Sequence, residues 1–377
     1  MNVTMIWFLG LPILVGLSVW YFLPRDGDGA KLGALNAGIG IILVIIAFVT
    51  SSGIATWDTE IWSGQIVSKD RDHGTYEQPY SCNCRTVTSG SGQNATTSTQ
   101  CDTCYETHYT VKWSAESTVG PFSLFNEDST SRSVYRTPDP ARYTIIKPGD
   151  PASVSHRYTN YVQAVPESLF TPSSAGLKAK FGALIPAYPD RIYDFYKVDR
   201  FLTPGFSTPD AALWNAGISN MLRGLGPQKQ VNTIVVIAKT DDPNYEYALR
   251  DAWEGANKND VVLIIGSTAW PKIDFVRVLS WTKNELFKIE LRDNIQALES
   301  IQREPILGLL SAQISKNFDR RKMSEFKYLE SEIDPPVWVL VSLGTLLCLG
   351  GVLCVLMVSG FFDRFRRTSK RGNLYRR

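Results

Sequence analysis

Three long apolar runs without a charged side chain, Val3–Leu23, Leu32–Val49 and Val337–Phe362, constrain this chain more than any other feature. A helix rises about 1.5 Å per residue, so about 20 apolar residues cross a hydrocarbon core of about 30 Å. The runs sit at the two chain ends, which sets them apart from buried helices of a soluble core. The sequence therefore predicts a multi-pass membrane protein with transmembrane helices over residues 1–24, 32–50 and 336–362. The first is read as a retained helix and not a cleaved signal. Met1–Thr4 has no Lys or Arg, no small-residue cleavage site follows, and the next apolar run begins at Leu32.

Basic residues set the expected orientation. The tail 363–377 carries Arg364, Arg366, Arg367, Lys370, Arg371, Arg376 and Arg377 against Asp363. Such a cluster beside a span is held on the cytoplasmic side. The large domain between the second and third spans is then extracytoplasmic, of periplasmic type, and the turn with Arg25 and Lys31 is cytoplasmic. The expected partners are the lipid bilayer and other membrane or envelope proteins. With 39 Lys and Arg against 37 Asp and Glu, the chain has no net field to hold nucleic acid.

Residues 51–170 read as a β-rich domain. Tyr109, Val111 and Trp113 alternate with polar residues, and Gly, Ser, Pro and Asp clusters separate short β-branched runs. Thr86–Gln100 has nothing to bury and reads as an exposed hairpin tip. Two close cysteine pairs, Cys82-Asn83-Cys84 and Cys101-Asp102-Thr103-Cys104, flank that tip. The other two cysteines, Cys348 and Cys354, belong to the third apolar run. Four converging thiolates suit a structural zinc, which the CxC and CxxC spacings favour. Two disulfides suit the same convergence and an oxidising compartment. A redox CxxC lacks the adjoining helix start, and Asp102 and Glu106 would raise a thiol pKa. His108, four residues after Cys104, could replace one ligand, but is read as a surface histidine.

After a linker at 171–196, the texture at 197–334 changes to alternating strands and helices. Val198–Leu202 reads as a strand, and Thr208-Pro209-Asp210 as a helix start. Trp214, Ile218, Met221 and Leu225 follow at helical spacing, with Gly224, Gly226 and Pro227 as the stop. Val231–Ala238 and Val261–Ile265 are continuous apolar runs, as in strands buried on both faces, and Phe275–Leu279 is a third strand. Helices are expected around Leu291–Leu298 and Ile306–Phe318.

Within this region, Thr233–Ile237, Tyr247-Ala248-Leu249 and above all Lys258-Asn259-Asp260-Val261-Val262-Leu263-Ile264-Ile265 carry a resemblance. Residues 207–330 resemble the TPM-domain family, which includes thylakoid photosystem-maintenance proteins and membrane-tethered bacterial proteins. The resemblance implies an α/β sandwich, divalent-cation binding and, as in some members, phosphatase activity. The family's glycine-rich segment after the third strand is replaced by Ser280-Trp281-Thr282-Lys283-Asn284-Glu285. The β-rich part resembles a piece of uncharacterised bacterial and phage membrane proteins, which carries no function with it.

The fold expected is therefore an α+β membrane protein: three transmembrane helices, a cysteine-stapled β region and a TPM-like α/β sandwich. No nucleophile elbow, phosphate-binding loop or H-E-x-x-H motif is present. Asp241 and Asp242, after the first buried strand, are the candidate ligands for calcium or magnesium; the simpler role of Asp242, before Pro243, is a helix cap. The expected function is a non-catalytic, membrane-anchored binding or assembly module. The alternative is a divalent-metal-dependent phosphatase-like hydrolase.

Overall fold

The structure is a computed structural model that describes residues 3–22, 28–89, 96–165, 175–208 and 210–358. The basic tail 363–377 lies outside them. In chain order the elements are α1 (Val3–Phe22), α2 (Asp28–Ala55), β1 (Trp57–Ser89), β2 (Thr96–Ser117), β3 (Gly120–Ser129), α3 (Ala141–Ile145), β4 (Pro151–Thr159) and α4 (Tyr161–Ala164). They continue with α5 (Ala175–Phe181), β5 (Phe201–Leu202), α6 (Ala211–Lys229), β6 (Asn232–Ala238), α7 (Tyr245–Ala252), β7 (Asp260–Gly266), β8 (Phe275–Ser280), α8 (Glu285–Gln296), α9 (Arg303–Asn317) and α10 (Val337–Val358). The chain divides into two compact units. One holds Glu60–His156 with Ser174–Arg321, and the other holds Met1–Thr59, Arg157–Ser173 and Lys322–Arg377.

The first unit contains two sheets. The antiparallel sheet has the order β3-β2-β1-β4. The alternation expected at Tyr109–Trp113 puts Val111 and Trp113 in its core with Ile66, Ala115 and Leu124. The Trp113 indole donates to Asp139 Oδ1 at 2.9 Å, so its one polar atom is satisfied inside.

The second sheet has the order β5-β6-β7-β8, parallel through β7 and antiparallel at β8. Every residue of β6 and β7 is buried, as their continuous apolar runs require. Val235, Ile237, Leu263 and Ile265 pack on one face against α6, α8 and α9, through residues such as Trp214, Leu291 and Leu310. Ile234, Val236, Val262 and Ile264 pack on the other against Tyr245, Ala248 and Leu249 of α7 and Phe181 of α5. Helices thus cover both faces of the sheet.

That arrangement has a topological consequence. The order β5-β6-β7 advances in one direction, yet the crossover helices α6 and α7 lie on opposite faces. The two crossovers therefore have opposite hands, and one carries the left-handed form that parallel connections rarely adopt.

Two segments differ from their sequence reading. The described part of 171–196 is no simple linker: Phe181 is buried against the sheet, and the Trp253 indole donates to Pro186 O at 2.9 Å. Helix α6 does not stop at Gly224–Pro227 but runs to Lys229, ending where Gln230 turns left-handed with φ 52°. Burial of Leu222, Leu225 and Gly226 outweighs the weak helix propensity of that segment. The expected strand Val198–Leu202 is reduced to Phe201–Leu202.

In the second unit, α1, α2 and α10 pack around Val44, Phe48, Leu343 and Leu347. At the α1–α2 crossing, a Cβ on Gly16 would meet the Gly33 carbonyl oxygen at 2.6 Å, and one on Gly33 would meet the Gly16 oxygen at 2.6 Å. These reciprocal glycines allow the close backbone approach typical of apolar helix pairs in lipid. Outward, Trp7, Leu14, Tyr21 and Val49 are more than half exposed, a surface that water would not favour. Two helices, over Thr4–Tyr21 and Lys31–Ala55, are long and apolar enough to cross a membrane. A third span exists if Met323–Glu332 and Val337–Leu353, bent by 44°, count as one.

Candidate functional site

The structure brings the four outer cysteines together. Cys82 pairs with Cys104 and Cys84 with Cys101, with Cα atoms 5.8 Å and 4.0 Å apart, in the arrangement of two disulfides. The spacings alone would not achieve this, because C-x-C faces one side of a regular strand and C-x-x-C faces both. A register shift between Cys82 and Arg85, with Asn83 at φ 48°, turns β1 locally so that both pairs meet.

The pairs staple an arm. β3 accompanies β2 only as far as Tyr109, whereas β1 and β2 pair on from Thr75↔Tyr109 to Ser89↔Thr96. Most of this stretch is exposed on both faces, with Tyr76, Tyr80 and Tyr105 46%, 51% and 66% exposed. At its base, His108 Nδ1 lies 2.5 Å from Asp128 Oδ1, and the Tyr76 hydroxyl donates to Asp128 Oδ2 at 2.8 Å. Tyr76 also stacks on the His108 ring. His108 is thus held by a carboxylate and a ring, which its isolated position in the sequence did not signal. The His108 and Tyr76 contacts hold the Asp128 carboxyl below the ordinary aspartate range.

Asp241 and Asp242 follow β6, at the end of the sheet where open α/β folds bind ligands. Asp242 is already engaged. Its Oδ2 lies 2.5 Å from Lys180 Nζ, and its Oδ1 accepts from the Asn244 amide at 2.9 Å. Lys180 first, and then the Asn244 amide, hold its carboxyl below the usual range. The second contact is that of a helix-start turn, leading into α7. A third acid at this end, Asp274, was not singled out from sequence. It accepts from Thr268 N and Oγ1 at 2.6 Å and 2.7 Å, and pairs with Lys272 at 2.6 Å. Lys272, then Thr268, push it down to about 2. Asp241 adds to the field that raises Lys272. Among the described residues, no three His, Cys, Asp or Glu side chains are grouped to hold a metal ion.

The most concentrated buried chemistry joins the two sheets. Arg200, fully buried, donates from Nε to Asn232 Oδ1 at 2.8 Å and from Nη2 to Ser63 Oγ at 2.6 Å. Ser63 Oγ lies 2.9 Å from Ser153 Oγ. Asn232 donates onward to Asp260 Oδ1 at 2.8 Å, and Tyr188 donates to Asp260 Oδ2 at 2.6 Å. Burial pulls Arg200 down to about 10 and pushes Asp260 up to about 6. Close by in the same unit, Arg320 pairs with buried Glu60 and with Gln230, and Asn259 donates to Ile61 O at 3.0 Å. β1 and β4 supply the serines, so the polar groups fix the β sheet to the α/β layers. Locally the sequence marks the cluster only by two charged residues, Asp199 and Arg200, inside Val198–Leu202.

Compared with protein-family models, curated proteins and solved structures, the chain matches none.

Proposed function

We propose that the chain is a membrane-anchored, extracytoplasmic binding or assembly protein without catalytic activity, and that the stapled arm is what it presents. Two disulfides across an exposed two-stranded ribbon carry this reading. A two-stranded hairpin in water is marginal by itself, so covalent staples are what keep such an arm extended. Disulfides persist in oxidising compartments, which supports an extracytoplasmic location for residues 51–335. Exposed tyrosines at positions 76, 80 and 105 are the residue type that protein interfaces concentrate. The partner class is another membrane or envelope protein.

The anchor in this reading is α1, α2 and a third span over 336–362, with the tail 363–377 cytoplasmic. The likeness of residues 207–330 to the TPM family supports a tethered α/β body. It rests on the strand and turn residues quoted above, not on a shared site. A phosphatase-like reading would need acids open to a cation, and Asp242 and Asp274 have their oxygens committed to Lys180, Asn244, Thr268 and Lys272.

The test is to replace residues 78–106, with Tyr80, Tyr105 and the four cysteines, by a two-residue turn after the Glu77↔Thr107 pair in the full chain. Membrane insertion and thermal unfolding are expected to stay as in wild type, while cross-links to neighbouring membrane proteins disappear. Unchanged cross-links would remove the arm from the function.

A further inference from the structure

The anchor unit contains a crevice of about 800 Å³ that the functional reading above does not use. One wall is a stripe of α2, Phe48, Val49, Ser52 and Gly53, continued by Thr56 in the turn just past its end. These positions repeat at helical spacing over eight residues, about 12 Å along the axis. The stripe therefore begins among the apolar residues of a candidate span and ends in hydroxyl-bearing ones. The opposite wall is the 3-10 helix Met323–Glu332, with Lys327, Tyr328, Glu330 and Ser331 facing the space. In a 3-10 helix, residues three apart eclipse, so Lys327 and Glu330 stand on one face. Among the described residues neither takes part in an ion pair.

We infer that this crevice binds a phospholipid whose headgroup carries both a phosphate and a primary ammonium. The cavity is apolar at Phe48 and Val49, where an acyl chain would lie, and polar beyond Ser52. Lys327 offers a charge to the phosphate and Glu330 one to the ammonium, three residues apart. A lone phosphate would leave Glu330 opposed to it, which disfavours an anionic lipid. A quaternary ammonium cannot donate a hydrogen bond to the carboxylate, which disfavours a choline headgroup. Entry is lateral: Val49 is 65% exposed, on a helix that also exposes Ile42 and Ile46. The inference rests on the membrane-anchored reading.

Gly53 supplies the decisive variant, because a Cβ there meets nothing within 4 Å. Gly53→Phe should fill the crevice and leave the helix packing alone. Full-length protein, stripped of co-purified lipid in detergent, is offered phosphatidylethanolamine, phosphatidylglycerol or phosphatidylcholine in mixed micelles. Bound lipid is counted by native mass spectrometry. The expected result is one phosphatidylethanolamine per chain, held about tenfold tighter than either competitor, as one charge-assisted hydrogen bond predicts. Gly53→Phe should lose it with unchanged thermal unfolding, Lys327→Gln should weaken it about tenfold, and Glu330→Gln should erase the preference over phosphatidylglycerol. Retention by Gly53→Phe, equal or better binding of either competitor, or no bound lipid overturns the proposal. If Gly53→Phe unfolds, the two exposed-site variants decide. A chain that does not fractionate with membranes overturns the anchored reading instead, so the two failures are distinct.

Discussion

Asn232 bridges Arg200 and Asp260, accepting from the guanidinium Nε at 2.8 Å and donating to the carboxylate at 2.8 Å. The two charges are each fully buried and separated by one amide. Such an arrangement is costly in desolvation and strict in geometry, so it specifies how the layers meet more than it stabilises them.

The Asp260 carboxyl carries a pH signature. Burial is the main cause that pushes it up to about 6, against hydrogen bonds from Tyr188, Asn232 and the Asn257 amide. Unfolded, an aspartate titrates near ~3.9. The folded state therefore holds the proton more tightly, and this group's contribution to stability falls as pH rises from about 4 to about 6, then levels off. Asp260→Asn removes the fall. Relative to wild type, the variant should be about 2 kcal/mol better placed at pH 7 than at pH 4. Denaturant unfolding of the full chain in detergent at the two pH values measures it. Equal differences at both would show that Asp260 is not buried as an acid.

For the cysteines, the expected count is no reactive thiol at positions 82, 84, 101 and 104 in the denatured, unreduced protein, with or without chelator, and four after reduction. Thiols released by chelator alone would mean zinc. Changing all four to serine should free the arm without unfolding the body. In the chain-entropy account, the larger closed loop is worth about 3 kcal/mol, but that energy acts on the arm, whose contacts with the cores are few. Amide exchange across 76–106 should rise sharply while the thermal midpoint of the α/β layers stays put.

The orientation is open to proteolysis. Protease added to intact cells with a permeable outer layer should remove residues 51–335 and spare the tail 363–377. Loss of the tail alone would reverse the assignment.

Calcium or magnesium at about millimolar level should give no resolvable thermal shift. A site at about one hundred times its Kd would add about 2.7 kcal/mol, which is easily seen. A rise that vanishes in the Asp241→Asn, Asp242→Asn double variant would put the phosphatase-like reading first. The variant still supports the turn before α7, because asparagine makes the same backbone contact.

What could be read from sequence follows from the range of the interactions. β6 and β7 were legible because burial on both faces writes a continuous apolar run. The cysteine convergence was legible because two close pairs flank one polar tip. The Arg200 cluster was not, since Ser63 and Ser153 lie 137 and 47 residues from Arg200. Nothing local in either serine marks it as a partner. The antiparallel sense of β8 and the opposite hands of the crossovers were hidden for the same reason, as strand order is set by packing between distant segments. Asp274 lay beyond reach because its partners, Thr268 and Lys272, are ordinary turn residues until the loop closes.

Gly224 and Gly226 show the difference between a local and a long-range reading at two neighbouring positions. From sequence both are helix breakers, yet α6 passes through both. At Gly224 a Cβ meets nothing within 4 Å, whereas at Gly226 it would overlap the carbonyl oxygen of Ser63, a backbone atom of β1 in the same unit. Gly224→Ala should therefore stabilise the protein by about 0.5–1 kcal/mol, through helix propensity and a less flexible unfolded chain. Gly226→Ala carries the same gain but forces α6 away from β1, at a cost of about 1–3 kcal/mol or more for overpacking against backbone. Its net effect is destabilising. The strain also falls on Ser63, whose hydroxyl accepts from Arg200 Nη2. Paired thermal unfolding of the two alanine variants checks both signs. Two equal stabilisations would mean that α6 does not rest on the Ser63 backbone.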